Sequence, residues 1–167
     1  RFTNVLPIAP NEVKTAKEIY RAPIYNKGAW TLHTLRYLLG DKTFFKVLRK
    51  MAYPNAEMEA TSDGSACRFV QTSDFIKICE EASGLNLTWF FDIYVRQAAL
   101  PVLEKTIENN VLFLKWKTPD QRPFPMPITI KTGKEWKRFE IPSKGISIPF
   151  DGKEAPIVDP EGWVLKM

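Results

Sequence analysis

Metal chemistry is the first thing these side chains limit. A catalytic zinc takes three protein ligands, commonly histidines and a carboxylate, and keeps a fourth position open. The chain has one histidine, His33, and no His-Glu-x-x-His. His33 lies in a largely apolar helical pattern and reads as a packed ring. Its two cysteines, Cys67 and Cys79, fit neither a zinc ribbon nor a Cys-x-x-Cys redox pair. Cys79 shares a helical row with Phe75, Ile78 and Ala82, which predicts a buried free thiol. A Cys67–Cys79 bridge stays compatible with an exported protein. Paired carboxylates can run acid–base chemistry if they face one another. Glu57 and Glu59 fall in a polar loop, and Glu80 and Glu81 are adjacent helical positions, which point apart. There is no Gly-rich phosphate loop and no Gly-x-Ser-x-Gly. On residues alone, Tyr25 reads as a core or rim tyrosine just before a helix.

The elements that would position these groups follow from period and punctuation. Ala22-Pro23 should be extended, since a residue before proline avoids the α region. From about Lys27 to Leu39 a helix is expected, started by Asn26 and stopped by Gly40. Ala29, Leu32, Leu35 and Leu39 are its expected core stripe, with Trp30, His33 and Tyr37 in a second row. A helix apolar over so much of its girth should be deeply buried. Lys27 reads as an ion-paired or solvent-facing lysine, and Gly28 as a point of close packing. Before this helix, Arg1–Pro10 reads as an extended lead-in and Asn11–Tyr20 as a short helix capped by Asn11. After it, Asp41 can cap a second helix bearing Phe44, Val47, Leu48 and Met51. Asn55–Ala66 reads as a surface loop. Thr72 or Ser73 caps a third helix that ends at Gly84. A fourth starts near Thr88 and carries Phe90, Phe91, Tyr94 and Val95; together with Trp89 these aromatics read as core.

At Leu100-Pro101 the texture changes to short β-prone runs with proline-rich joints. The expected strands are Val102–Ile107, Val111–Lys117, Met126–Lys131, Trp136–Ile141, Ile146–Phe150 and Trp163–Leu165. Asn109-Asn110, Thr132-Gly133, Ser143–Gly145 and Asp151-Gly152 are the turns between them. The fold class is therefore α+β in two segments: a helical subdomain of about four to five helices over residues 1–100, then a small all-β sandwich over 101–167.

Composition bounds the partners. The chain has 167 residues, 44% of them hydrophobic and 13% aromatic, which supplies ample core material. No apolar run approaches the ~20 residues of a membrane helix. The net charge of +5 is spread evenly, with Lys134, Lys137 and Arg138 as a minor cluster. A nucleic-acid binder concentrates its basic residues on one face, so a mixed, solvated surface is the reading and nucleic acid is not an expected partner. Without an initiator methionine or a signal pattern, the chain reads as a piece of a longer protein, its compartment left open.

Four segments, in order, resemble one family. Tyr25-x-Lys27-Gly28-Ala29, Leu32-His33, Leu35-Arg36 and Leu39-Gly40-Asp41 resemble the helix after the zinc site in aminopeptidase N-like zinc metallopeptidases, the gluzincins. Thr72-Ser73-Asp74-Phe75 resembles the family's TxxDF helix start, with one residue rather than two between Thr72 and Asp74. Ser83-Gly84, Leu87 and Trp89-Phe90-Phe91-Asp92 resemble its SGxxLxWFFDxW helix, with Tyr94 in place of the last tryptophan. Leu100-Pro101-Val102-Leu103 resembles its exit into a β domain. The resemblance covers about Pro23 to Leu103.

It implies that residues 1–100 are the helical second half of a metallopeptidase catalytic domain. In that family the tyrosine at the position of Tyr25 donates its phenol proton to the oxyanion formed on the peptide carbonyl. Such a fixed donor contributes about 3–4 kcal/mol. The implied whole enzyme removes amino-terminal residues from peptide substrates and needs zinc. The zinc ligands lie upstream of the tyrosine stretch in the family, so the isolated chain is expected to bind no zinc and to be inactive. His33 matches the family's LHxLR histidine, which is not a ligand. A helical domain cut from its other half should expose apolar surface, which makes a homo-dimer of the piece an expectation. The alternative is a non-enzymatic interaction or scaffold module related to these peptidases.

Overall fold

The computed structural model describes residues 6–10, 15–20 and 22–167; the cap assigned to Asn11 lies outside them. Helices come first: α1 (Ala16–Ile19), α2 (Ala22–Leu39), α3 (Asp41–Ala52), α4 (Ala56–Ala60), α5 (Thr72–Ser83) and α6 (Thr88–Tyr94). Strands follow: β1 (Val102–Glu108), β2 (Val111–Lys117), β3 (Ile128–Thr132), β4 (Glu135–Phe139), β5 (Ile146–Pro149) and β6 (Ile157–Val158). The layout is the α+β arrangement expected, with six helices among the described residues. The helix not foreseen is α4, inside the stretch read as a loop. Asn55 caps it, its Oδ1 accepting the Met58 N–H at 2.9 Å.

The chain forms two compact units, one of residues 1–34 with 89–167 and one of Leu35–Thr88. In the Leu35–Thr88 unit, Gly40 takes the positive φ of 77° that stops α2, and its N–H reaches the Arg36 carbonyl at 2.8 Å. Gly40 is also the cap of α3; Asp41, expected there, is instead the first helical residue. Its carboxylate is occupied by Arg36, whose Nε and Nη2 donate to Oδ1 and Oδ2, each at 2.8 Å. A bidentate pair fixes the corner, and a carboxylate in the first turn suits the helix dipole. Phe44 and Val47 from α3 and Cys79 from α5 are buried. Lys50–Glu81 at 2.7 Å links α3 to α5, and Arg49–Glu59 at 2.6 Å links α3 to α4. Gln71, one residue before the expected Thr72, caps α5; its backbone N–H donates to Asp74 Oδ2 at 2.8 Å. A carboxylate three residues into a helix reaches back in this way. Gly84 closes α5 in the left-handed conformation.

In the other unit the strands make two three-stranded antiparallel sheets, β1-β2-β5 and β4-β3-β6. Asn109 and Asn110, at φ 48° and 60°, form the two-residue turn between β1 and β2. Two positive φ values match the strand twist in such hairpins. The register runs from Val102 opposite Lys117 to Glu108 opposite Val111. That alternation buries Leu112, Leu114 and Trp116, the inward row read from the sequence. Gly145 is obligatory: its φ is 90°, and a Cβ there would stand 2.5 Å from the Phe113 ring and 2.8 Å from the Leu114 carbonyl.

Trp163–Leu165, expected as a strand, is not one; the last pairing is by Ile157–Val158 on β3. The backbone of 163–165 bonds to side chains instead. The Tyr94 hydroxyl donates to the Leu165 carbonyl at 2.7 Å, and the Thr34 hydroxyl donates to the Trp163 carbonyl and accepts the Leu165 N–H. The aromatics of α6 do form core. Phe124 makes edge contacts with Trp89, Tyr94 and Trp116 at centroid distances of 5.3, 5.7 and 5.1 Å. The Trp116 Nε1–H donates to the Met126 carbonyl at 2.8 Å, which satisfies the one polar atom that this ring brings inside.

Candidate functional site: the first turns of α2

Helix α2 begins at Ala22, a full turn earlier than expected, with Pro23 in its first turn. Proline is tolerated there, because the first helical N–H groups have no partner inside the helix. Tyr25 is therefore a helical residue and not a lead-in to one. It is 57% exposed, and the Tyr20 ring meets it edge-on at 5.8 Å and 89°. A hydrogen bond with the Tyr20 hydroxyl, and secondarily some desolvation, holds the Tyr25 phenol above its ordinary value. It stays neutral and able to donate a proton.

The covered side of α2 is the unexpected one. Lys27, Thr31, Thr34 and Leu35 fall at i, i+4, i+7 and i+8, and all four are buried. Lys27 is 4% exposed, correcting its reading as an ion-paired or solvent-facing lysine. Its Nζ donates to the Gln97 carbonyl at 2.6 Å and the Ala98 carbonyl at 3.3 Å. Burial pushes its pKa down to about 8. The Thr34 hydroxyl donates to the Trp163 carbonyl at 3.1 Å and accepts the Leu165 N–H at 2.9 Å. The Thr31 hydroxyl is buried with no hydrogen-bond partner among the described residues.

The opposite side is open and mixed, with Tyr25, Ala29 and Leu32 exposed beside Arg36. Of the expected core stripe only Leu35 is fully buried, and Leu39 is partly so; Ala29 and Leu32 are exposed, as is Trp30. Gly28 is half-buried at the flank of the covered row, and a Cβ added to it meets nothing within 4 Å, so the expected close packing has no partner among the described residues. A glycine inside a helix costs about 0.5–1 kcal/mol relative to alanine.

His33 is packed, as read: its ring stacks on Trp163 at 4.4 Å and 7°, and Trp30 meets it edge-on at 5.4 Å. Among the described residues no three His, Cys, Asp or Glu side chains come together as a metal site. The acidic pairs are dispersed, with Glu59 on Arg49, Glu81 on Lys50, and Glu80 accepting the Leu87 N–H at 2.8 Å. Both cysteines are free, Cys67 exposed and Cys79 buried, the latter's thiol pushed up to about 12 by burial.

Two residues escaped sequence reasoning. Lys27 was detectable as the head of a polar row with Thr31 and Thr34. Asp159 carried no such signal. It is buried at φ 51°, and its carboxylate accepts the Trp163 N–H at 2.8 Å, the Val164 N–H at 3.2 Å and Lys166 Nζ.

The depressed pKa of Lys27 gives a pH dependence with a definite sign. The unfolded chain binds this proton more tightly, near the ordinary value of 10.5, than the folded one does near 8. Folding is thus penalised below pH 8, and the penalty disappears as pH rises through that window. Urea midpoints are expected to rise from pH 8 toward 10.5 relative to Lys27→Met; parallel profiles for the two proteins would contradict it.

No family model matches the chain. Over 108 residues it is 30% identical to aminopeptidase N of Lactococcus lactis subsp. lactis, a match covering 65% of this chain and 11% of that protein. The fold is similar to that of Legionella pneumophila aminopeptidase A, solved in complex with aspartic acid, with a TM-score of 0.59 and 20% identity, covering 93% of this chain and 19% of that one. These findings support an aminopeptidase-like relationship. The chain spans a small part of either protein's length. Among the described residues no helix is long and apolar enough to cross a membrane.

Proposed function

We propose that this chain is part of a gluzincin-type, zinc-dependent aminopeptidase that removes amino-terminal residues from peptides. Residues 1–100 would be the helical second half of its catalytic domain, and 101–167 a small β-sandwich. Tyr25 is the residue that acts on substrate. Its phenol donates a hydrogen bond to the oxygen that gains negative charge when the peptide carbonyl becomes tetrahedral. A preorganised donor needs no reorganisation at that moment, which is why it lowers the barrier. The observation that supports this reading is the placement of Tyr25: a neutral, exposed phenol in the first turns of α2, in a chain similar over 108 residues to an aminopeptidase.

The zinc of such an enzyme does not fit the residues present. The one histidine lies between two tryptophans, and the described acidic side chains and thiols form no ligand group. Its ligands belong to another part of the protein, and no step is assigned to this chain through it. The isolated chain is expected to release no amino acid from peptides and to take up no stoichiometric zinc in calorimetry. The full-length protein is expected to be an aminopeptidase that a chelator silences. Zinc held by the isolated chain with a Kd near nanomolar would overturn the assignment of ligands. A full-length protein with no peptidase activity would make the chain a scaffold module instead.

A further inference from the structure

We propose that the outer face of the β4-β3-β6 sheet binds an acidic peptide segment of a partner protein. Strand pairing fixes which side chains share that face. Lys131 on β3 lies opposite Trp136 on β4 and opposite Ile157 on β6, so the three form one row across the sheet. Thr129 and Arg138, a second opposed pair, extend the face along the strands. Ile128 and Ile130, which alternate with Thr129 and Lys131, point the other way and are buried. The solvated face of an antiparallel sheet is ordinarily polar. This one leaves Trp136 48% exposed and Ile157 51% exposed at the two ends of a row.

The charge on the face has one sign. Of its residues on β3, β4 and β6, Lys131 and Arg138 are basic and none is acidic. Lys134, exposed in the turn between β3 and β4, adds a cation at the edge. Glu135 and Lys137 alternate with Trp136, fall on the other side of β4 and pair with each other at 3.0 Å. Neither Lys131 nor Lys134 has a carboxylate partner among the described residues. The Lys131 Nζ lies 5.7 Å from the centre of the Trp136 ring, which keeps the ammonium within the row. A positive surface selects a negative partner. Tryptophan is the kind of anchor on which such contacts depend.

Spacing selects the form of that partner. Neighbouring strands stand about 4.8 Å apart, so the ends of a row across three strands are about 9.6 Å apart. A polyproline-type segment has three residues per turn and rises about 3.1 Å per residue, which puts side chains i and i+3 on one side about 9.3 Å apart. Apolar residues at those two positions would cover Trp136 and Ile157, and carboxylates between them would reach the lysines. A single-stranded nucleic acid would need successive aromatic rings for its bases, and this row offers one. None of these residues lies on α2, so the proposal stands apart from the aminopeptidase reading.

The probe is the peptide acetyl-Pro-Leu-Glu-Glu-Leu-Pro with fluorescein at its carboxyl end, titrated with the whole chain at low salt and read by anisotropy. Its acetyl cap removes the free amino terminus on which an aminopeptidase acts, so a peptidase site cannot account for binding. Saturable binding is expected, weakened at least tenfold by Trp136→Ala and by Ile157→Ser. Lys131→Gln is expected to weaken it at least fivefold and to flatten its salt dependence. Lys144→Gln, in the turn before β5, is expected to bind like wild type. Circular dichroism is expected to stay the same throughout, since Trp136 and Ile157 are half exposed. A peptide with lysines in place of its glutamates is expected not to bind. Absence of binding by wild type would overturn the proposal, as would equal binding by wild type and the three face variants. A thymidine oligonucleotide that binds more tightly through the same residues would overturn it by assigning the face to nucleic acid. A homodimer that Trp136→Ala dissolves and the peptide does not would overturn it by assigning the face to a second copy.

Discussion

Replacing Tyr25 by phenylalanine in the full-length protein is expected to lower kcat by about a hundred- to a thousandfold and to leave KM nearly unchanged. The direction follows from when the hydroxyl acts. In the ground state the carbonyl oxygen carries little charge and gains little from a phenol. In the tetrahedral state it carries nearly a full charge, and the lost donor costs about 3–4 kcal/mol. Loss of an interaction made only in the transition state shows in kcat, and loss of uniform binding shows in KM. The substitution is also mild for the fold. Tyr25 is more than half exposed; phenylalanine keeps its ring contact with Tyr20 and gives up only an exposed hydrogen bond between the two hydroxyls. An unchanged Tm with a collapsed kcat would be the signature. Full activity in Tyr25→Phe would reduce the residue to a surface aromatic, and a rise in KM alone would make it a substrate contact.

Asp159→Ala is expected to cost the chain about 3–5 kcal/mol in urea unfolding. The carboxylate is a hub for three donors: two backbone N–H groups and the Lys166 ammonium. Removing it leaves the Trp163 and Val164 amides without their acceptor and strands a partly buried cation. Alanine also tolerates the positive φ poorly, whereas asparagine adopts that conformation readily. Asp159→Asn is therefore expected to lose clearly less, keeping one acceptor and the backbone shape while giving up the charge. Equal losses for the two variants would assign the effect to the Lys166 pair alone. A loss below about 1 kcal/mol for alanine would mean that the turn holds itself.

The strands were legible because their information is local. Leu112, Leu114 and Trp116 alternate with Phe113, Lys115 and Lys117 on the two-residue period of a half-buried strand. Asn109-Asn110 names its own turn. The corner at Gly40 was legible for the same reason, although the chain gives Asp41 to Arg36 and leaves capping to the glycine. The faces of α2 were not legible. Periodicity shows that two faces differ, and the usual rule assigns the apolar one to the core. Here two of the three inward polar groups are satisfied by a backbone atom far along the chain, 70 residues away for Lys27 with Gln97 and 129 for Thr34 with Trp163. Nothing near Lys27 or Thr34 announces those carbonyls. The candidate tyrosine was legible only through the ordered resemblance, since an isolated tyrosine beside a helix is common and chemically mute.

Thr34 also sets an order of events at the ribosome. Its hydroxyl bonds to residues 163 and 165, which lie 129 and 131 positions further along. At roughly 5–20 residues added per second, on the order of ten seconds separate the synthesis of Thr34 from that of its partners. Throughout that interval the inward row of α2 has neither the Trp163 carbonyl nor the Leu165 amide to bond. The Leu35–Thr88 unit needs nothing beyond its own residues for its α3–α5 pairing and can close in the meantime. Codons 129 and 131 positions downstream thus complete the seating of a helix whose own residues were joined long before.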